Sequence, residues 1–221
     1  MGTCVFCKIV NSGKLSDEDH TLLMNFENFI ITEDMAPLAE GHTLLISKRH
    51  VVSMAMLDEK ELVEMERAKD ILKSISSKIY RTPLIFEHGD TKGLNKPSCC
   101  IEHAHIHCLP LSIDIIEDIK KDFGPEVKMK DISMLREFAG KSYIFVENGK
   151  FDMSVFLTPN IVGQYIRKIV SRKLGKPDMW DFMIYRDKEV AEKTVRKWQE
   201  FTSAVTIKEE ENTKGSSKKS G

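Results

Sequence analysis

The chain has 221 residues, 41% hydrophobic and 30% charged, with a net charge of −1 and a pI near 6.7. That balance belongs to a soluble globular protein with one ordinary domain and an appendage, and it offers no bulk positive field to nucleic acid or an anionic membrane. No apolar run approaches bilayer-spanning length and the N-terminus has no signal-peptide core, so a cytoplasmic location is expected, with a nuclear one left open; no membrane partner is expected and a nucleic acid is disfavoured, short of a local basic groove.

Taken in chain order, Cys4-Val5-Phe6-Cys7 comes first, two of the five cysteines (the others are Cys99, Cys100 and Cys108). An odd, clustered set without a secretion signal argues against a disulfide framework. The Cys-x-x-Cys pair is a metal half-site, a redox pair or a coincidence. A redox pair normally opens a helix after a strand, and nothing precedes this one, so the half-site is favoured; it needs two more ligands. Residues 22–26 and 29–32 are short apolar runs around Glu27-Asn28 and form a hairpin. Residues 37–41 are a loop and residues 42–47 a strand. Asp58 with Glu61 makes a capping box, and Leu62, Met65, Ala68, Ile71, Leu72, Ile75 and Ile79 follow at helical spacing as far as Tyr80. Residues 83–87 are a strand, followed by a loop containing Gly89, Gly93 and Pro97.

Residues 100–109 hold the feature that points to chemistry. His103, His105 and His107 alternate with Ala104, Ile106 and Cys108, the period of a half-buried strand. On a strand the three imidazoles share a face, roughly 7 Å apart per pair. Packing has no use for three titratable rings on one face; a zinc site or an acid–base and nucleophilic site does. Residues 1–112 thus form an α+β domain of antiparallel strands with one long helix before the last two.

Residues 113–207 make an α/β extension. Residues 142–147 and 151–157 flank Asn148-Gly149 as a hairpin. A helix is predicted from about Asn160 to Leu174, stopped by Gly175 and Pro177, and a second over residues 188–204. Residues 208–221 are charged and rich in Lys, Ser and Gly, a disordered tail.

The run from His103 to Leu109 resembles the His-φ-His-φ-His-φ-φ motif (φ apolar) of the histidine-triad (HIT) proteins. Two further blocks are similar to that family in order and spacing: Cys4-Val5-Phe6-Cys7-Lys8-Ile9-Val10, and Asp34-Met35-Ala36-Pro37 through Gly41-His42-Thr43-Leu44-Leu45-Ile46 to Lys48-Arg49-His50. The resemblance implies a HIT-like antiparallel sheet and a nucleotide hydrolase. His105 would be the nucleophile toward an α-phosphorus, forming a nucleotidyl-imidazole intermediate; His107 would contact the phosphate and leaving atom; His103 would position both. Asp34 would bond the ribose hydroxyls, with Phe29 and Ile31 as one wall of the base pocket. Cys100 stands where relatives often carry a phosphate-binding hydroxyl, but a thiol donates weakly, and Ser98 is the candidate to take part of that role. The resemblance also implies structural zinc held by Cys4, Cys7, His50 and His103, and a homodimer.

This chain departs from the common pattern at Phe86-Glu87-His88-Gly89, which makes His88 either a fourth active-site imidazole or a plain loop residue. The third triad histidine is kept, whereas transferase branches tend to have glutamine there, so hydrolysis is favoured over transfer. The substrate would be a dinucleoside polyphosphate, a nucleoside phosphoramidate or an acyl-adenylate. The alternative is a non-catalytic nucleotide-binding or RNA-associated HIT-like protein. In the extension Gln164 and Arg167 lie three apart on a predicted helix; Arg167 is either a bidentate ligand for a distal phosphate or a surface arginine.

Overall fold

A computed structural model describes residues 4–12, 20–89, 101–149, 152–159 and 161–216. Its centre is one eight-stranded sheet: β1 (Leu22–Asn25), β2 (Phe29–Glu33), β3 (Thr43–Ser47), β4 (Leu84–Gly89), β5 (His105–Leu109), β6 (Val127–Lys128), β7 (Tyr143–Asn148) and β8 (Asp152–Leu157). The strands lie in the order β1-β2-β3-β5-β4-β7-β8-β6, each pair antiparallel. The helices are α1 (Val5–Ser12), α2 (Glu59–Ile79), α3 (Ile116–Phe123), α4 (Tyr165–Lys173) and α5 (Lys188–Ser216).

Side-chain alternation gives the sheet two different faces. Ile46 pairs with Ile30 and with His105, Leu44 with His107, and His107 with Phe86. Those residues share the face that carries the histidines. Phe29, Ile31, Leu45, Ile85, Ile106 and Cys108 point the other way, into a core closed by Leu62, Met65, Ala68 and Leu72 of α2. The capping box that starts α2 is complete: Asp58 accepts from Glu61 N at 2.9 Å and Glu61 accepts from Asp58 N at 2.8 Å.

The β7–β8 hairpin of the extension continues the same sheet, with Leu84 opposite Asn148 and Gly89 opposite Tyr143. Gly149 turns it with φ +70°. One consequence reaches back to α2. Ile71 is 37% exposed and Lys69 is buried, because Glu147 of β7 faces the helix and takes hydrogen bonds from both Lys69 and Lys73. α5 brings Trp198 into the α2-side core, and its Thr194 accepts from Gly41 N at 2.9 Å. Gly41 has φ +88°, and a Cβ there would lie 2.6 Å from the Tyr80 ring and 2.7 Å from Pro110, so the β2–β3 loop requires glycine on both counts.

The structure corrects three predicted boundaries. The histidine strand begins at His105, because residues 101–104 bend: Ala104 N donates to Val51 O at 2.6 Å and Ala104 O accepts from Ser47 N at 3.2 Å. The helix predicted from Asn160, itself outside the described residues, begins at Tyr165. Gln164 before it is left-handed, φ 58° and ψ 25°. The final helix continues to Ser216 through much of the stretch predicted to be disordered, in keeping with the helix propensity of its Glu and Lys residues.

Candidate active site

The bend before β5 divides the three histidines between two tasks. His103 turns toward the N-terminal knuckle. Its Nδ1 is 3.4 Å from Cys4 Sγ, 3.6 Å from Cys7 Sγ and 3.2 Å from His50 Nδ1, and Cys7 Sγ is 3.2 Å from His50 Nδ1. A tetrahedral zinc with Zn–S of about 2.3 Å and Zn–N of about 2.0 Å has ligand–ligand edges of roughly 3.3–3.8 Å. These four separations match that spacing to within a few tenths of an ångström, and all four donor atoms lie within 4.8 Å of one another. The far nitrogen, His103 Nε2, lies 2.6 Å from Ser47 O; donating there leaves Nδ1 with its lone pair toward the cysteines, the arrangement expected of an outer-shell bond that orients a metal ligand. The residues present therefore fit the group.

His105 and His107 stay on the pocket face, ring centroids 4.9 Å apart. His105 Nδ1 is 2.6 Å from the His103 carbonyl and so carries the proton, which leaves Nε2 with a free lone pair. Burial lowers its pKa, the His103 carbonyl working against it, and the ring is neutral near pH 7. Phe6 meets this ring edge-on, centroids 5.0 Å apart. His107 stacks on Phe86 at 4.5 Å.

His42 completes this arrangement. Leu38 N donates to His42 Nδ1 at 3.2 Å, so the His42 proton sits on Nε2, which lies 3.0 Å from His107 Nδ1. His107 accepts there and keeps its own proton on Nε2. Burial pushes His42 down to about 4, against the raising influence of Asp34, and burial lowers His107 as well. Two neighbouring neutral imidazoles thus differ in what they offer: a lone pair at His105, an N–H at His107.

Asp34 supports the network from below. Its Oδ1 accepts from Ala36 N at 2.8 Å; its Oδ2 lies 3.0 Å from Arg167 Nη1, 3.4 Å from His42 Nδ1 and 3.7 Å from His107 Nδ1. Burial alone would raise its pKa, but His42, Arg167 and the Ala36 amide outweigh burial and keep the carboxylate ionised. Asp34, His42 and His107 could also surround a cation. The 3.0 Å imidazole contact is a hydrogen bond rather than an edge between two metal ligands, and the Arg167 guanidinium opposes a second positive charge.

The pocket gathers His105, His107, Asp34 and His88 among its lining, so His88 lies in the site rather than in a remote loop. Phe29 and Ile31 do not form its wall. Both are fully buried on the α2 face, one alternation step from Ile30 and Thr32. The apolar wall comes instead from Val5, Phe6, Leu44, Phe86 and Ile101. Ser98 and Cys100 lie outside the described residues. Arg167 is neither a surface residue nor free to reach a distal phosphate: it is 6% exposed and bound to Asp34. Sequence reasoning did not single out His42, since one histidine at the head of a strand is ordinary. Its place in the same block as Asp34 was the available signal.

Residues 3–121 match the family model described as "Scavenger mRNA decapping enzyme C-term binding". An uncharacterized HIT-like protein of Borreliella burgdorferi is 33% identical over 119 residues, 50% of this chain and 76% of that protein. Adenosine 5'-monophosphoramidase HINT3 of Xenopus tropicalis is 27% identical over 108 residues, 48% of this chain and 67% of that protein. Among solved structures, a Zn-bound histidine triad family protein of Mycobacterium smegmatis is 22% identical with a TM-score of 0.40, covering 61% of this chain and 91% of its own. With the family model spanning more than half of its residues, and the triad strand inside that span, this chain belongs to the histidine-triad superfamily.

Proposed function

We propose that the protein hydrolyses small nucleotides at the α-phosphate through a covalent intermediate on His105. The observation that carries this is the opposite protonation of two adjacent imidazoles, fixed by the His103 carbonyl on one side and by Leu38 and His42 on the other. In the first step His105 Nε2 attacks the α-phosphorus, a P–N bond forms, and the bond to the leaving group breaks with its electron pair going to the leaving atom, which is hydrogen-bonded by the Nε2–H of His107 and takes its proton from solvent. In the second step water attacks the same phosphorus, the P–N bond breaks to give back neutral His105, the water's second proton passes to solvent, and a nucleoside monophosphate is released. Asp34 would accept from the ribose hydroxyls and the wall of Phe6 and Ile101 would face the base. The phosphoramidase name of the Xenopus relative and the decapping description of the family model support this class of reaction.

The fitting Cys2His2 set supports bound zinc in a structural role: Cys4, Cys7, His50 and His103 would hold it, and it would supply no reaction chemistry. It would tie α1, with Phe6, to the segment before β5. Metal analysis should find about one zinc per chain, and Cys4→Ser should lose it; a full equivalent retained in that variant refutes the assignment. A homodimer and a cytoplasmic location belong to the same reading, and light scattering tests the former.

Incubation with adenosine phosphoramidate, diadenosine tetraphosphate, lysyl-adenylate and a cap dinucleotide should release nucleoside monophosphate from at least one of them. His105→Asn should lower that rate by at least about 1,000-fold, the scale expected for loss of a nucleophile. Turnover surviving in His105→Asn would overturn the mechanism. Tight nucleotide binding without turnover in the wild type would favour a binding protein instead.

A further inference from the structure

Arg167 comes from the extension, outside the residues matched by the family model, yet it lines the same pocket as His105 and His107. Its Nη1 donates to Asp34 Oδ2 at 3.0 Å, its Nη2 to Ala36 O at 2.5 Å and its Nε to Trp180 O at 2.9 Å. The contacts are built, not incidental. Gln164, the one non-glycine residue with positive φ among the described residues, uses its side chain to fasten the turn that supplies the Trp180 carbonyl. Its Nε2 donates to Asp181 Oδ1 at 3.2 Å and its Oε1 accepts from Phe182 N at 3.1 Å. Lys168 Nζ sits 4.1 Å over the Trp180 ring and adds a second tie. Arg167 and Asp34 are 6% and 7% exposed, and both line the pocket.

A buried carboxylate by itself can only accept. A hydroxyl that donates to it still has lone pairs to satisfy, and in a dry site an unmet pair is costly. Three of the five guanidinium N–H donors are used here, so the ion pair keeps donors as well as acceptors, and its net charge is zero. A surface of that kind suits a neutral group that both gives and takes hydrogen bonds, and it has no surplus charge for a phosphate.

We propose that Arg167 is a specificity-determining residue, pairing with Asp34 so that the pocket selects the ribose diol of its nucleotide over a deoxyribose. The proposal rests on the nucleotide reading above. It assigns the extension a direct part in the site: α4 provides the donor half of the sugar contact and the turn after it holds that donor in place.

The test is calorimetric binding of AMP and 2'-deoxy-AMP to the full chain, neither of which needs turnover. Wild type should prefer AMP by about 30-fold, the scale of one buried hydrogen-bonding group left unmet. Arg167→Gln should weaken AMP about tenfold and leave 2'-deoxy-AMP nearly unchanged, so that the preference falls to a few-fold. Arg167→Lys keeps the charge without the fork and should show the same collapse; it serves as the readout if the glutamine variant melts early. Equal weakening of both ligands would mean that Arg167 only supports the fold, and tighter AMP binding in the variant would mean that it competes with the sugar. Either overturns the proposal, as does a wild type that binds both equally, which leaves the hydrolase reading intact. A wild type that binds neither nucleotide overturns both.

Discussion

Glu87 sits on the face of the sheet opposite the histidines, fully buried, with Met54 N donating to one carboxylate oxygen at 2.7 Å and the Tyr143 hydroxyl to the other at 2.6 Å. Burial pushes its pKa up from 4.5 to about 7, and the two hydrogen bonds recover only part. Between about pH 4.5 and 7 the folded state therefore holds a proton that the unfolded state has lost, and stability falls as pH rises through that window. The full effect is about 3 kcal/mol. His42 acts the other way: with a folded pKa near 4 against 6.5, it contributes stability that is lost as pH falls. A difference measurement separates them. Urea unfolding at pH 5 and pH 8 should show that Glu87→Gln removes the alkaline loss of stability relative to wild type; parallel curves would refute the assignment. At this scale the sequence showed residues that repeat a pattern. Three alternating histidines announce themselves, and the blocks around Cys4 and Asp34 supply their context. His42, Lys69 and Arg167 act through partners 65, 78 and 133 positions away, and no local pattern marks such pairs.

Among the elements, α2 was the most legible, because its start has a two-residue chemical signature and its buried face an obvious period. Asp58→Ala should cost about 1 kcal/mol in equilibrium unfolding, the usual value of an N-cap; an unchanged midpoint would show that the box contributes nothing. α4 was legible at its end, where Gly175 adopts φ +70°, but not at its start. A left-handed glutamine costs roughly 1–3 kcal/mol, and what sustains it is the hydrogen bonding of its side chain to residues 181 and 182. Gln164→Ala keeps the strain and removes those bonds, so it should destabilise the chain by at least about 1 kcal/mol, visible as a lower thermal midpoint. Strands β2 and β3 were placed within a residue or two, yet their inward faces were not: all positions in both are buried, so burial alone gives no alternation to read.

For the whole molecule, the hairpin and helices after residue 112 share one sheet and one core with the part before it. β7 covers the edge of β4, and Trp198 of α5, 1% exposed, packs with the α2-side core. We infer that residues 1–112 do not fold alone. A fragment of those residues should lack a cooperative unfolding transition, because it exposes the β4 edge and the Trp198 contact surface together; a fragment that melts cooperatively would show a self-sufficient domain. Trp198→Ala in the full chain should cost about 3–5 kcal/mol. Neither dependence is visible in the sequence, where the asparagine–glycine turn identifies a hairpin but not the strand it joins.

The place of β5 in this sheet has a consequence for synthesis. The ribosome delivers His105 and His107 near the midpoint of the chain, but β4, their neighbour, waits for residues 143–148 to take its open edge, and Asp34 waits for Arg167. During that interval the nascent chain carries the histidine strand beside an uncapped edge, the condition that invites pairing with another chain. A chain ending between those points would carry the triad with the β4 edge open and with no Arg167 beside Asp34.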